Sequence, residues 1–211
     1  MGKPFPYRLY LVIGEEDCKG KDVLWVAEQA VKGGVDLVQL REKHKDYCGY
    51  LESSLRLKEM LDKYNVPLII NDNPVVAVNS KAYGIHVGNS DIPPSQIKNK
   101  WPECPILGYS IEYIEQLGND EIKYADYLGV SPVFSTPTKT DTVTEWGLEG
   151  IKKIKLLTDK PLVAIGRINE LNAEHVINAG ADCLAVVSAI TAAGDPANAA
   201  ERLRNLIEKS L

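Results

Sequence analysis

One segment of the chain, Lys32-Gly33-Gly34-Val35-Asp36-Leu37-Val38-Gln39-Leu40-Arg41-Glu42-Lys43, joins a glycine turn, a short apolar run and a charged end. The glycines are typical of a helix C-cap, where a left-handed residue closes the last turn. The run from Leu37 to Leu40 predicts a buried strand, and the three charged residues after it lie where that strand ends. The segment therefore predicts one helix-to-strand step of an α/β fold.

The same turn recurs twice more along the chain. It reads Lys123-Tyr124-Ala125-Asp126-Tyr127-Leu128 and then Ala179-Gly180-Ala181-Asp182-Cys183-Leu184. Each copy again leads into a run of apolar residues. Repeated units of this kind are typical of βα units around a parallel sheet.

Apolar runs and amphipathic segments alternate along the whole sequence. Eight predicted strands are Leu9 to Ile13, Leu37 to Leu40, Val66 to Ile70, Gly84 to Val87, Ile106 to Tyr109, Tyr127 to Val130, Leu162 to Ile165 and Cys183 to Val187. The predicted helices are residues 22 to 33, 46 to 64, 74 to 81, 94 to 100, 112 to 123, 148 to 158, 170 to 179 and 196 to 209. Eight βα units without a linker predict a single-domain (β/α)8 TIM barrel over residues 1–211.

An open doubly wound sheet is the rival architecture. It usually carries a Gly-x-Gly-x-x-Gly turn after its first strand. Here that position reads Ile13-Gly14-Glu15-Glu16-Asp17, which lacks the pattern. The barrel is therefore the better interpretation.

The composition is that of an ordinary globular domain. The chain has 211 residues, 45% hydrophobic and 25% charged, and a net charge of -5, which argues against a broad nucleic-acid-binding surface. No apolar run reaches the roughly 18 to 20 residues that span a bilayer, and Met1 to Pro6 shows no signal peptide. We expect a cytoplasmic protein with small-molecule substrates and no nucleic-acid or membrane partner; a homo-oligomer is compatible with the sequence.

The sequence does not indicate a zinc site or a catalytic nucleophile. The four cysteines form no Cys-x-x-Cys pair, so neither a zinc spacing nor a dense disulfide framework is indicated. Among the three histidines, His86 lies inside a predicted strand, as either a core histidine or an inward group below a site. No Ser-His-Asp order falls at the strand ends. A hydrolytic triad is therefore not predicted.

Polar residues follow seven of the eight predicted strands, at the rim where TIM barrels build their sites. In the second strand, Gln39, Arg41 and Lys43 share one face by the period of two. If Gln39 points inward, the two cations line the barrel mouth and can clamp a phosphate or diphosphate. The alternative is a solvated charge run.

Two aspartates end neighbouring strands, Asp72 after the third and Asp91 after the fourth. Converging carboxylates suit Mg²⁺, which commonly takes one or two of them together with substrate phosphate oxygens and water. The alternative is that they are N-caps of the helices that begin near Pro74 and Pro94. Their position opposite Arg41 and Lys43 favours a metal–diphosphate site.

Three other strand ends complete the rim. The loop after the sixth strand, residues 131 to 141, is rich in hydroxyls and carries Lys139; it is either a lid or a mobile linker. Gly166 and Arg167 follow the seventh strand, and Val187 and Ser188 follow the eighth. Barrels often bind a phosphate at these last two strand ends, although Gly166 by itself is also an ordinary turn glycine.

Five motifs in order match the thiamine-phosphate synthase family, which this sequence resembles over nearly its whole length. They are Val38-Gln39-Leu40-Arg41-Glu42-Lys43, Ile70-Asn71-Asp72, Gly84-Ile85-His86-Val87-Gly88 with Asp91, Ser131-Pro132-Val133-Phe134-Ser135-Thr136-Pro137-Thr138-Lys139, and Ala185-Val186-Val187-Ser188-Ala189-Ile190. The resemblance implies an enzyme that joins an aminopyrimidine methyl diphosphate to a thiazole phosphate. It implies diphosphate release, a carbocation-like substitution and Mg²⁺ as cofactor.

The resemblance also implies site residues. The pyrimidine diphosphate would be held by Gln39, Leu40, Arg41, Glu42, Lys43, Asn71, Ser110 and Lys139, with Arg41, Lys43 and Lys139 acting in catalysis on its phosphates. Mg²⁺ would be bound by Asp72 and Asp91. The thiazole phosphate would be held by Thr136, Pro137, Thr138, Gly166, Arg167, Val187 and Ser188.

The sequence departs from the family pattern at two positions. Arg167 stands where the family usually has a second glycine, and it either adds a guanidinium to the phosphate site or excludes the phosphate. Asn73 stands where an arginine commonly follows the Asn-Asp pair. Two other functions stay open: a thiazole tautomerase of the TenI type, against which the retained charges argue, and a non-catalytic barrel that binds a thiamine precursor.

Overall fold

The computed structural model describes residues 5–135 and 145–210. Its centre is a closed barrel of eight parallel strands in chain order, with β1 hydrogen-bonded to β8. The strands are β1 (Leu9–Ile13), β2 (Leu37–Leu40), β3 (Leu68–Asn71), β4 (Gly84–Val87), β5 (Ile106–Ile111), β6 (Tyr127–Val130), β7 (Leu162–Ile165) and β8 (Cys183–Val186). The predicted (β/α)8 barrel is confirmed.

An α-helix follows every strand except β5 around the outside of the barrel. The helices are α1 (Val23–Lys32), α2 (Tyr47–Asp62), α3 (Pro74–Asn79), α4 (Pro94–Lys100), α5 (Gly147–Leu157), α6 (Ala173–Asn178), α7 (Ser188–Thr191) and α8 (Pro196–Lys209). Aspartate N-caps begin two of the longer ones: Asp22 accepts from the Trp25 N–H at 2.8 Å, and Asp46 from the Gly49 N–H at 2.8 Å. Within the described parts of the chain, no helix is long and apolar enough to cross a membrane.

The period of two divides the side chains of each strand between two apolar layers. In β1, Tyr10 and Val12 face the barrel interior, whereas Leu9, Leu11 and Ile13 pack against the helices. The interior layer is completed by Leu37, Ile69, Ile106, Tyr127, Val163, Cys183 and Ala185. The interior is therefore a packed core that closes the lower part of the barrel and leaves only its mouth open.

The recurring turn has a second function that the sequence analysis did not assign. Its aspartate accepts hydrogen bonds from the first N–H groups of the preceding strand in the barrel. Asp36 accepts from Leu9 N–H at 3.0 Å, Asp126 from Leu107 N–H at 2.7 Å, and Asp182 from Leu162 N–H at 2.8 Å. Since these amides lie at the strand starts, the three aspartates tie neighbouring strands together at the closed end of the barrel.

The predicted helix over residues 112 to 123 is wrong. Two short 3-10 turns, Ile114–Gly118 and Asp120–Tyr124, take its place. The Gln116 side chain accepts from the N–H groups of Glu112 and Tyr113, at 2.6 and 3.0 Å. Side chains that bond local backbone in this way compete with an α-helix, and Gly118 at the end of the first turn weakens it further.

Two other predicted boundaries shift for local reasons. Strand β3 begins at Leu68 and not at Val66, because Pro67 has no N–H to donate to the ladder. Helix α6 begins at Ala173 and not at 170, since the Asn172 side chain accepts from Asn169 N–H at 2.9 Å and holds a turn there.

Candidate active site

A cleft of about 870 Å³ opens at the carboxyl ends of the strands. Most of the described residues that were predicted to form the site line it: Gln39, Arg41, Lys43, Asn71, Asp72, Asp91, Ser110, Gly166, Arg167, Val187 and Ser188. The lower wall is formed by interior side chains such as Tyr10 and Tyr127. Residues that are far apart in the sequence thus share one polar mouth.

Two predicted binding residues do not line this cleft. Leu40 is fully buried in the layer between barrel and helices. Glu42 turns away, because its Oε1 accepts from the Glu15 N–H at 3.1 Å and lies 3.4 Å from Lys45 Nζ. Both residues therefore support the end of β2 and the loop after β1.

Four further predicted residues cannot be placed. Thr136, Pro137, Thr138 and Lys139 lie outside the described residues. The described chain stops at Ser135, four residues before Lys139. The assignments of these four residues rest on the resemblance alone.

Strand β2 places its polar side chains as the period of two predicts. Leu37 belongs to the interior layer, and Gln39, Arg41 and Lys43 follow on the same face and line the cleft. The main chain holds this direction beyond the strand, since Arg41 N–H donates to Ile13 O at 2.9 Å. The charged triplet is therefore not simply a solvated run: two of its three members face the cleft.

Neither aspartate of the predicted metal pair is a helix cap. Asn73 caps α3, with its Oδ1 accepting from Val76 N–H at 3.0 Å, and Pro93 precedes α4 without a side-chain cap. Asp72 instead has a left-handed backbone, with φ 62°, and donates its N–H to His86 O at 2.9 Å. The Asp91 Oδ2 accepts from Gly88 N–H at 2.7 Å. Both carboxylates are thereby held at the cleft.

The Asp72 and Asp91 carboxylates lie close enough to interact at the cleft. Burial, and then the Asp91 carboxylate within hydrogen-bonding reach, raise the pKa of Asp72 to about 7, although Arg41 opposes the shift. Two neighbouring carboxylates at an open cleft, with Asp72 exposed and Asp91 half-buried, suit a hard divalent cation that completes its shell with substrate oxygens and water. Over residues 5–135 and 145–210, no cluster of three acidic, histidine or cysteine side chains forms a closed metal cage.

The loop after β1 contributes residues that sequence reasoning missed. Glu16, Asp17 and Lys19 all line the cleft from this loop. Burial raises the pKa of Asp17, while the Arg41 guanidinium lowers it. Arg41 thus acts electrostatically on two carboxyl groups of the cleft, Asp17 and Asp72. A signal for these residues is the acidic run Glu15-Glu16-Asp17 that follows the first strand.

The turn after β7 has a backbone that glycine favours at both positions. Gly166 has φ 121°, and a Cβ there would lie 2.7 Å from Pro132 Cβ and 2.8 Å from Val133 N. Arg167 has φ 53°, the left-handed region that ordinary residues seldom adopt. Its exposed side chain stands at the cleft. Arg167 therefore keeps the glycine-type backbone conformation and adds a cation to the same wall.

Strand β8 leads directly into the short helix α7, whose N-cap is Val187. Val187 and Ser188 line the cleft at this junction, and only β1 separates β8 from the strand β2 that carries Arg41 and Lys43. A backbone turn and a hydroxyl at the last strand ends are typical of TIM-barrel phosphate sites.

His86 is an inward group below the site and not a residue of the outer core. Its Nδ1 lies 3.0 Å from Tyr127 OH and its Nε2 lies 2.8 Å from Ser110 Oγ. His44 and His175 are exposed. His86 therefore has features of both alternatives from the sequence, since it lines the cleft and both of its ring nitrogens have partners inside the barrel.

The chain is similar to known proteins over nearly its whole length. A family model described as thiamine monophosphate synthase matches residues 9–190. The thiamine-phosphate synthase of Albidiferax ferrireducens is 47% identical over 201 residues, 95% of this chain and 92% of the relative. That of Vibrio campbellii is 43% identical, over 95% and 98%. The solved thiamine phosphate pyrophosphorylase from Pyrococcus furiosus has a TM-score of 0.87, with 32% identity and 98% of each chain covered.

Proposed function

This chain belongs to the thiamine monophosphate synthase family, and on that premise we propose that its cleft joins an aminopyrimidine methyl diphosphate to a thiazole phosphate. The products are thiamine phosphate and diphosphate. The observation that carries the proposal is the placement of Arg41 and Lys43 in one cleft with the facing carboxylates of Asp72 and Asp91. Cations and a metal site together are what a diphosphate leaving group requires.

The β2 side of the cleft binds the pyrimidine diphosphate. Arg41 and Lys43 bind its phosphates, because a guanidinium and an ammonium form charge-assisted hydrogen bonds with phosphate oxygens. Gln39 and Ser110, both nearly buried at the cleft floor, contact the pyrimidine ring. Asn71 lies beside them, and the family resemblance adds Lys139 to the phosphate contacts.

The side of the cleft formed by the ends of β7 and β8 binds the thiazole phosphate. The turn at Gly166 and Arg167 and the junction at Val187 and Ser188 face it. Backbone amides and one cation at such strand ends suit a monophosphate. The family resemblance adds Thr136, Pro137 and Thr138 from the loop after β6. The two substrates thus bind next to each other in the barrel mouth.

Enzymes of this family use a metal ion, and we propose that here it is Mg²⁺ held by Asp72 and Asp91. When bound, Mg²⁺ neutralises charge on the diphosphate and supplies Lewis-acid assistance to its departure. Asp72 and Asp91 give two carboxylate ligands, and the remaining positions are left for phosphate oxygens and water.

The reaction needs charge stabilisation more than proton transfer. As the C–O bond to diphosphate breaks, its electron pair leaves with the diphosphate and a pyrimidine-methyl cation forms. The thiazole nitrogen then donates its lone pair to form the new C–N bond. No proton is removed in either step, so Arg41 and Lys43 act by stabilising the leaving group, and the cleft acts by orienting both substrates. This accounts for a site without a triad.

The first test is the reaction itself. The purified protein, mixed with both substrates and Mg²⁺, is expected to form thiamine phosphate and diphosphate in equal amounts. Thiamine phosphate is followed by chromatography and diphosphate by a coupled assay. Pyrimidine diphosphate binding without turnover would show a binding barrel instead, and conversion of a thiazole tautomer without diphosphate release would show a tautomerase.

Arg167 offers a test of the thiazole side. Because Arg167 already adopts the left-handed backbone, Arg167→Gly removes the guanidinium without requiring a new turn. We expect the KM for thiazole phosphate to rise about tenfold, the effect of losing one partly exposed charge-assisted contact. The KM for pyrimidine diphosphate stays unchanged. Steady-state kinetics with each substrate varied in turn checks this, and a lower KM for thiazole phosphate would show that Arg167 obstructs its binding.

A further inference from the structure

A chain of hydrogen bonds crosses the barrel interior directly below the cleft. Gln39 Nε2 donates to Tyr10 OH at 2.8 Å, and Tyr10 OH lies 3.1 Å from Tyr127 OH. Tyr127 OH lies 3.0 Å from His86 Nδ1, and His86 Nε2 lies 2.8 Å from Ser110 Oγ. The two ends of the chain, Gln39 and Ser110, are the residues proposed to contact the pyrimidine ring.

The barrel provides space for this chain by means of two strand glycines. A Cβ at Gly108 would lie 2.2 Å from Tyr127 Cζ and 2.3 Å from His86 Nδ1, and a Cβ at Gly129 would lie 2.9 Å from His86 Cε1. Glycine inside a strand weakens it and often marks a close approach by another group. The rings of Tyr127 and His86 therefore occupy room that β5 and β6 leave only because these positions lack side chains.

The hydrogen bonds have one consistent direction. The Gln39 amide nitrogen can only donate, so Tyr10 accepts and passes its own proton toward Tyr127. Burial raises the pKa of Tyr10 and of Tyr127 above the ordinary tyrosine value, so both hydroxyls keep their protons. Tyr127 then donates to His86 Nδ1, which places the imidazole proton on Nε2, and that N–H donates to Ser110 Oγ.

This direction determines what the two ends present to the cleft. Gln39 uses its amide nitrogen in the chain and keeps its carbonyl oxygen as an acceptor. Ser110 accepts from His86, so its own hydroxyl proton points to a different acceptor. The cleft floor thus combines one fixed acceptor with one fixed donor. The reverse direction would present an amide donor and a serine acceptor.

We propose that Tyr10, Tyr127 and His86 are positioning residues that fix this polarity and so select an aminopyrimidine over the corresponding oxopyrimidine. An aminopyrimidine offers an amine N–H donor and a ring-nitrogen acceptor, which match Gln39 and Ser110. An oxopyrimidine reverses both, with a carbonyl acceptor and a ring N–H donor. The inference rests on the proposed function, because it concerns the ring that the proposed substrate carries.

The kinetic test compares two substrates, the aminopyrimidine methyl diphosphate and its oxo analogue. The oxo analogue would leave both Gln39 and Ser110 without a matching hydrogen-bond partner. The kcat/KM of the wild-type protein should therefore be higher for the amino substrate by about a hundredfold or more. Tyr127→Phe keeps the ring and removes the hydroxyl, which cuts the chain in the middle. With Gln39 and Ser110 released to reorient, we expect this preference to fall about tenfold.

Tyr109→Phe is the matched control. It also removes one hydroxyl from a barrel strand, where Tyr109 OH donates to Asn89 Oδ1 at 2.7 Å, but its side chain packs in the outer layer. The preference should be unchanged in this variant. An unchanged preference in a normally melting Tyr127→Phe would overturn the positioning role. Absence of thiamine phosphate formation by wild-type protein would overturn the proposed function itself.

A second measurement needs neither turnover nor a variant that folds. In protein labelled with ¹⁵N-histidine, the two neutral tautomers differ in their ring-nitrogen chemical shifts. Two of the three histidines are exposed, so the buried-network signal belongs to His86. We expect the Nε2–H tautomer at pH 8. An Nδ1–H tautomer would mean the reverse direction and would overturn the inference whether or not the reaction is observed.

Discussion

Asp72→Asn is expected to lower kcat by about 10²- to 10³-fold while the melting temperature does not fall. The substitution keeps the size of the side chain and removes one of two charges proposed to hold Mg²⁺. In the metal-free protein the Asp72 carboxylate is destabilised by burial and by Asp91, which is why its pKa rises to about 7. A neutral amide relieves that repulsion, so activity and stability should change in different directions.

The measurement is kcat as a function of Mg²⁺ concentration, together with thermal unfolding without metal. Asp159→Asn is the matched control, since Asp159 is exposed and precedes β7 at the opposite end of the barrel. It should leave both readouts unchanged. Wild-type kcat in Asp72→Asn at low Mg²⁺ would refute the metal assignment, and a large drop in melting temperature would make the role of Asp72 structural.

Side-chain direction along strands was the most predictable feature of this site. The face shared by Gln39, Arg41 and Lys43 follows from the pleat of any β-strand, and a parallel barrel brings all strand ends to one rim. Local pattern was therefore enough to place the β2 cations. The boundaries of strands β1, β2, β4, β6 and β7 were predicted for the same reason, since each is a short apolar run between turn residues.

Features that depend on tertiary contacts were not predictable. The left-handed backbone at Asp72 accompanies a hydrogen bond from its N–H to His86 O in the neighbouring strand β4, and no local signal marks it. The hydrogen bond between Tyr10 and Tyr127 joins residues that are 117 positions apart and meet only when the barrel closes. The wrong helix prediction over residues 112 to 123 shows a second limit of local pattern. The amphipathic spacing predicts a helix, but the Gln116 side chain accepts hydrogen bonds from nearby backbone N–H groups and 3-10 turns form instead.

Arg41→Ala is expected to lower kcat/KM for pyrimidine diphosphate by about 10²- to 10³-fold, with most of the loss in kcat. Negative charge on the diphosphate grows as the C–O bond breaks, so its cation contacts strengthen in the transition state. The positive charge of Arg41 also acts on the Asp17 and Asp72 carboxyl groups, where it opposes the rise in pKa that burial causes. Arg41→Lys should recover only part of the activity, because an ammonium cannot make the planar bidentate contact.

Arg56→Ala is the control for this prediction, since Arg56 is an exposed arginine on α2 and does not line the cleft. Its kcat/KM should match that of the parent protein. Because pre-steady-state formation of thiamine phosphate separates bond breaking from binding, the loss in Arg41→Ala should appear in the single-turnover rate at saturating substrate. A normal single-turnover rate with a raised KM would mean that Arg41 binds the ground state and the transition state equally, and the leaving-group role would pass to the other cations of the site.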